Sequence, residues 1–561
     1  MPAKTRTASD ALQSRLSTAK TLVLALALAI MASLLFGMQA YKRFTIEPER
    51  AVAKCYFQMW ILDRTEKECR VMEETFTLTP DLIRERFGDR LDKVKTVLSV
   101  ILGVGVVTFL LFTFLFYKLL LLMDRGRTAD IYLRGARKAT PDELRGLLEK
   151  EGTASPITIG GVPIVAGSET THFLIAGATG VGKSVAIKEL LDHARAERQR
   201  AIVYDPSGEF VEAYYREGTD LLLNPFDRRA PRWNIFEDIG SEFDYADVVQ
   251  SLIPMPANTN DPFWVNAPRG VLESMLRNMK LRNNHSNRYL YETLTTRTIG
   301  ELYHELKGWE GAAYLHPSNE KTASSVRSVL SPYLLPFKYL PDTGGDPFSL
   351  KRFIADDSAD RWVFIRVDMD QLNALRPLIS LWLDLAITAT LSLEVKPDRR
   401  LWFVMDEFAT LQKVSKVKDL LDKGRKYGAC AILGMQNISQ IKESYGKEGA
   451  TSMVTNCKTW VIYNTPDSET AKYLAENIGN EEVLATKASQ SESSDAKGGG
   501  SQSTTTNYQT EKKLVVMPEE IMYLPNLAAF LKVAGDYPVA RIALQWKARP
   551  TVAPKFIPRE G

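Results

Sequence analysis

The chain has 561 residues, 45% of them hydrophobic, enough for more than one domain and a full-sized core. Its formal net charge of only +3 excludes bulk electrostatics as an argument for a nucleic-acid partner; any such partner has to be argued from local residues.

In chain order, residues 1–20 lead into 21–41, an apolar run without a charge. Residues 96–117 form a second uncharged run, and 119–123 extend it past Lys118. At about 1.5 Å per residue each can cross a hydrocarbon layer of roughly 30 Å, so both are read as transmembrane helices, over 21–41 and 96–123. A cleaved signal peptide competes for the first run, but its apolar core is long and Met38-Gln39-Ala40 is a poor cleavage site. A buried soluble helix competes for the second, where Gly103-Val104-Gly105 among repeated Leu and Phe fits lipid better. Lys4, Arg6, Arg15 and Lys20 precede the first run, and Lys118, Arg125, Arg127 and Arg134 follow the second. These flanks favour cytoplasmic ends with 42–95 outside, although that loop is basic too. The stronger argument for this orientation is the nucleotide motif described below, which needs the cytosol. Cys55 and Cys69 lie in the outer loop, where a disulfide and two free thiols fit the residues equally well.

Residues 124–160 read as a juxtamembrane linker with a short helix over 141–149. Beyond it, the apolar runs 173–176, 201–204, 362–367, 401–405, 430–434 and 459–463 alternate with helical stretches such as 378–393. That is the pattern of an α/β domain with a mostly parallel sheet, assigned to 161–242 and 341–561. Between 243 and 340 helical periodicity takes over, at 248–252, 271–279 and 302–306, and predicts an inserted all-α domain. Residues 488–507, rich in Ser, Thr, Gly and Gln around Gly498-Gly499-Gly500, predict a flexible loop.

Gly177-Ala178-Thr179-Gly180-Val181-Gly182-Lys183-Ser184 matches the phosphate-loop pattern G-x-x-x-x-G-K-[ST], between a predicted strand and a predicted helix over 185–195. Gly177, Gly180 and Gly182 let backbone N–H groups approach phosphate oxygens, and the helix N-terminus adds a positive dipole end. Lys183 reaches the β and γ phosphates and Ser184 ligates Mg²⁺, so ATP and Mg²⁺ are the implied cofactors. The apolar strand 401–405 ends in Asp406 and Glu407, placed to hold Mg²⁺ through water and to polarise the attacking water. Gln436, after the strand 430–434, can sense the γ phosphate or is a plain strand-end polar residue. Arg425 can act as a finger in a neighbouring subunit's site; on the residues alone, a solvated basic helix end is the simpler reading. In the insert, Arg277, Lys280, Arg282 and Arg288 surround Asn283-Asn284-His285 near Tyr289 and Tyr291, a mixture suited to a single-stranded backbone and its bases, or simply a solvated helix face.

Taken in order, these features resemble the type IV coupling proteins, the conjugative DNA-transfer ATPases of the TraD/TrwB kind. The similarity covers nearly the whole chain. Its specific carriers are Asp205-Pro206-Ser207-Gly208-Glu209 and Leu223-Asn224-Pro225-Phe226-Asp227 with Trp233-Asn234. Asp261-Pro262-Phe263-Trp264, Gly424-Arg425-Lys426-Tyr427-Gly428 and Pro518-Glu519-Glu520-Ile521 add to them. The resemblance implies a RecA-like P-loop domain with an inserted all-α domain, preceded by two transmembrane helices and assembled as a homo-hexamer in the bacterial inner membrane. It implies DNA, single- or double-stranded, a relaxase and the type IV secretion channel as partners, and it raises Arg425 and Gln436 to finger and sensor. The expected function is an ATPase that couples a relaxase–DNA substrate to the channel and drives single-stranded DNA through it. Two departures are Ser207, where relatives often have Lys, and the lack of the long acidic tail that some relatives use for partner binding. Three readings compete: a coupling protein for effector proteins, an FtsK/HerA-like duplex translocase, and a docking receptor with a vestigial site.

Overall fold

The computed structural model describes residues 31, 35–62, 66–71, 74–125, 131–257, 259, 261–343, 347–494 and 500–559. They fall into two units, Met1–Leu133 with Glu482–Glu511, and Arg134–Glu481 with Lys512–Gly561.

In the larger unit, all six apolar runs become strands of one ten-stranded sheet. Its strands are β1 (Lys138–Ala139), β2 (Phe173–Ala176), β3 (Arg200–Asp205), β4 (Leu221–Leu223), β5 (Trp362–Arg366), β6 (Leu401–Met405), β7 (Ala429–Met435), β8 (Thr459–Ile462), β9 (Ala528–Lys532) and β10 (Val539–Ala543). The spatial order is β1-β10-β9-β8-β2-β7-β6-β3-β5-β4. Every pairing from β8 to β4 is parallel, whereas β9 runs antiparallel to both neighbours. Alternate residues enter two different cores. Leu401, Phe403 and Met405 of β6 face one, and Trp402 and Val404 face the other. Burial on both faces explains why these strands read as unbroken apolar runs instead of alternating ones.

The first core contains the helix Met369–Leu391, long and apolar enough to cross a membrane yet mostly buried, and therefore a core helix of this unit. The second core contains the helix Lys183–Ala196 and also Leu144, Leu148, Ile157 and Ile159. Residues 138–159, expected in a linker, are thus part of the folded layer. The apolar face of the helix Pro141–Lys150 and a hairpin, Ala154–Ile159 with Val162–Val165, pack there.

The insert contains the α-helices Glu242–Leu252, Phe263–Leu281, Asn287–Thr296, Ile299–Glu305 and Glu320–Leu334, the last two joined through the 3-10 turns Glu310–Leu315 and Pro317–Asn319. A two-residue parallel pairing of Arg232–Trp233 with Pro347–Phe348 brackets it. The buried Trp233 meets Trp382 of the core helix edge to face, with ring centroids 5.7 Å apart.

In the smaller unit, the described residues of 42–95, a segment expected outside the membrane, are folded. The helix Glu47–Ile61 and the hairpin Lys67–Val71 with Glu74–Leu78 pack with Ile83 of the helix Pro80–Arg125 around Val52, Met59 and Leu78. Cys55 and Cys69 are joined in a disulfide with Cα atoms 6.1 Å apart, which settles the choice left open by the residues. The long helix departs from helical geometry at Phe87. Past Val100 it exposes Leu102, Val107, Leu110 and Leu115, as expected of a helix solvated by lipid. The run 21–41 lies largely outside the described residues.

The segment 488–507 departs from the expected flexible loop. Strands Asn480–Ser494 and Gly500–Leu514 pair in a three-stranded sheet with Ile131–Gly135. The β-branched Thr504, Thr505 and Thr506 suit an extended backbone, a preference that a polar, glycine-bearing composition conceals. Gly498 and Gly499 lie outside the described residues.

Candidate functional site

The phosphate loop is slung between strand ends. Gly177 N donates to Met435 O at 2.9 Å and Ala178 N to Asn464 O at 2.8 Å, which fixes the loop above β7 and the residues after β8. A Cβ on Gly177 would lie 2.7 Å from Tyr463 Cβ, and one on Gly182, whose φ is +115°, would lie 2.7 Å from Leu527 Cδ2. Only glycine gives the close approach and the left-handed turn together. The helix Lys183–Ala196 starts directly after that turn, so its first N–H groups point into the loop.

Lys183 Nζ donates to the carbonyls of Gly177 and Ala178, both at 2.9 Å. Burial lowers the Lys183 ammonium from its usual value, opposed by the attraction of Asp406 and Glu407. Asp406, at the end of β6, is buried and pushed up to about 7, first by desolvation and then by the negative charges of Glu407, Asp205 and Glu209, with Lys183 opposing. Its Oδ1 is buried without a hydrogen-bond partner among the described residues. On β7, a Cβ on Gly434 would come within 1.7 Å of Asp406 O, so the backbone carrying this carboxylate is seated where only glycine fits. Gln436 Nε2 donates to Glu407 Oε1 at 3.0 Å.

Lys183, Ser184, Asp406 and Glu407 thus line one cleft of about 760 Å³. A lysine held only by loop carbonyls, a hydroxyl at the helix start and an orphaned buried carboxylate oxygen fit a nucleoside triphosphate with a divalent cation. Ser184 and Asp406 are the side chains that can hold the metal.

Arg425 is not among the cleft's lining residues. It is exposed on the 3-10 turn Gly424–Tyr427 and makes no side-chain hydrogen bond or ion pair among the described residues. The four cations of the insert lie together, but mostly paired. Arg277 bonds Glu242 and Glu273 and lies 4.4 Å from the Tyr245 ring centroid. Arg282 pairs with Glu305 at 2.8 Å and Arg288 with Glu292 at 3.0 Å. Lys280 alone of the four has no carboxylate partner among the described residues.

The far wall of the cleft was not legible beforehand. It comes from the C-terminal segment after β10, which contributes Trp546, Lys547, Arg549, Pro550 and Thr551. That segment also explains the two motifs that had no chemistry in the sequence. Asp227 accepts from Ile557 N at 3.1 Å and is paired with Arg229, which donates to Pro554 O at 2.8 Å. Asp205 accepts from Phe210 N and Val211 N, both at 2.8 Å, capping the helix Glu209–Tyr214, and Glu212 of that helix accepts from Val552 N through its carbonyl. Both motifs fasten the strap. Only the lone Trp in Gln545-Trp546-Lys547 hinted at it, and an isolated Trp is normally core.

Residues 156–545 match the family model of the type IV secretion-system coupling protein DNA-binding domain. Coupling protein TraD of Escherichia coli (strain K12) is 32% identical over 457 residues, 80% of this chain and 63% of TraD. The VirD4 coupling protein of Bartonella quintana (strain Toulouse) is 29% identical over 30% of this chain and 25% of its own length. The chain therefore spans less than two thirds of the length of these curated relatives. Among solved structures, the conjugative coupling protein TrwB lacking its N-terminal segment, in an unbound form, gives a TM-score of 0.67 at 30% identity over 77% of this chain and 97% of that one. TrwB in complex with ADP and Mg²⁺ matches equally, with a TM-score of 0.67 at 30% identity over 77% and 97%.

Proposed function

The chain belongs to the type IV secretion-system coupling proteins, and from that premise we propose that it is an inner-membrane ATPase that hands a relaxase–DNA substrate to a secretion channel and drives single-stranded DNA through it. The observation that carries the reading is the orphaned Oδ1 of buried Asp406 beside Lys183 and Glu407: opposite charges kept in one cleft without the direct pairing that would neutralise them. TrwB, solved with ADP and Mg²⁺ and with a non-hydrolysable ATP analogue, supports the choice of ligand.

Lys183 exchanges its loop carbonyls for the β and γ phosphates, and the N–H groups from Gly180 to Ser184 cradle the β phosphate. Ser184 and Asp406 would hold Mg²⁺, which when bound would supply neutralisation of phosphate charge. Glu407 orients the attacking water and takes its proton, and Gln436 keeps that carboxylate aimed. Arg425, exposed and without an ion-pair partner among the described residues, reaches the site of a neighbouring subunit in a hexamer. The segment after Glu407 carries the change outward. Thr410 Oγ1 donates to Glu407 O at 2.7 Å, Gln412 Nε2 to Leu252 O at 3.0 Å, and Lys413 Nζ to Met255 O at 2.9 Å. The inserted helical domain is thereby tied to the catalytic strand end. The exposed apolar helix before Arg125 and the disulfide outside it support an inner-membrane anchor with the ATPase in the cytoplasm.

The test is ATP turnover by the full chain in detergent with and without single-stranded DNA. DNA should stimulate turnover; turnover that ignores DNA would turn the reading toward protein substrates.

A further inference from the structure

We propose that Trp546 is the stacking platform for the base of the bound nucleotide, so that the C-terminal strap completes the nucleotide site. The inference rests on reading the cleft as a nucleoside triphosphate site.

Trp546 lines the same cleft as Lys183 and Asp406, although it lies far from both in the sequence. It is 69% exposed, and makes no hydrogen bond or ring contact among the described residues. An open aromatic face of that size on the wall of a phosphate-binding cleft has a natural complement in a flat, neutral heterocycle, because base–aromatic stacking uses the π-face and needs no fixed hydrogen-bond partner.

Its backbone is held on both sides. Leu544 is buried, and its N donates to Leu527 O at 2.7 Å, while Leu527 N donates to Val181 O of the phosphate loop at 2.9 Å. On the other side, Arg549 pairs with Asp192, whose carboxylate also accepts from Tyr214 Oη. Asp192 lies eight residues, about 12 Å, along the helix from Ser184. The strap therefore runs from the phosphate loop down the flank of the helix that starts there, leading away from the strand end that carries Asp406 and Glu407. A triphosphate with its γ group at Glu407 would lay its base toward this wall. The phosphate end already has its cations and dipoles, whereas this wall offers an unoccupied ring held between two anchors.

The experiment is calorimetric titration of the full chain, in detergent with Mg²⁺, with ADP and separately with inorganic pyrophosphate, for wild type, Trp546→Ala and Trp546→Phe. ADP affinity should fall about tenfold in the alanine variant and stay within about threefold in the phenylalanine variant, with pyrophosphate affinity unchanged in both. Unchanged ADP affinity in Trp546→Ala overturns the proposal. Equal weakening of ADP and pyrophosphate overturns it too, since the ring would then shape the cleft and not receive a base. A wild-type chain that binds neither ligand overturns the nucleotide-site reading itself.

Discussion

The nucleotide cleft and the cationic surface of the inserted helices both gather charged side chains, yet they treat charge in opposite ways. In the cleft, among the described residues, Lys183 is satisfied only by carbonyls and Asp406 Oδ1 by nothing, so the site holds charge in reserve for a ligand. On the insert, Arg277, Arg282 and Arg288 each face a carboxylate of their own or a neighbouring helix, so the surface is largely neutral before any ligand arrives. A cluster of like residues in sequence is therefore a poor guide to a binding site, whereas charge left uncompensated after folding is a better one.

The largest effects should come from the uncompensated side. Lys183→Ala should remove turnover, and Glu407→Gln should lower kcat roughly 10²- to 10³-fold while ATP affinity stays within about threefold, read by phosphate release and by direct titration. If activity survives Glu407→Gln, the base is another residue. Arg425→Ala should cost roughly 10³-fold in turnover if it is a finger supplied in trans. Mixing it with Glu407→Gln should restore part of the activity, because some interfaces then carry both intact residues; a mixture as inactive as its components would return Arg425 to an ordinary surface charge.

The paired surface should respond far less. Neutralising Arg277, Arg282 and Arg288 together should leave the salt dependence of single-stranded DNA binding nearly unchanged. Lys280→Ala should reduce the slope of log affinity against log salt by at most about 0.7. A larger loss of slope in the arginine variants would show that DNA displaces Glu242, Glu273 and Glu305, and would erase the contrast.

The smallest effect concerns stability. Burial pushes Asp384, in the core helix Met369–Leu391, up to about 7, against the hydrogen bonds it accepts from Lys416 N, Ser251 and Ser415 N. The folded state thus keeps a proton to higher pH than the unfolded chain, whose aspartates titrate near about 3.9. The stability that Asp384 contributes should fall as pH rises from about 4 through about 7, by the sign of the linkage relation. Across that range thermal melts should show wild-type stability falling relative to Asp384→Asn; parallel curves would mean that Asp384 does not titrate there.

Much of this protein was legible without coordinates wherever a local rule sufficed. The phosphate loop is specified by backbone conformations that glycine permits at Gly177 and Gly182. The parallel sheet is specified by runs such as 401–405 that must be apolar on both faces. The insert shows itself through a change of period. Where a segment draws its structure from distant partners, the sequence was silent or misleading. Residues 138–159 read as a linker because their apolar face is short, and β4, Leu221–Leu223, escaped notice because it is only three residues long. The strand 500–514 looks like a loop until its partner 480–494 supplies the hydrogen bonds.

The site divides in the same way. Motif and spacing alone determined that Lys183, Ser184, Asp406 and Glu407 belong together, since strand–loop–helix geometry carries each to the same edge of a parallel sheet. Only the tertiary structure decided that Asp205 and Asp227 help fasten a C-terminal strap, that this strap brings Trp546 to the cleft, and that the arginines of the insert are already paired. The strap's contacts join residues hundreds of positions apart, and the arginine pairs exist only once the inserted helices have packed.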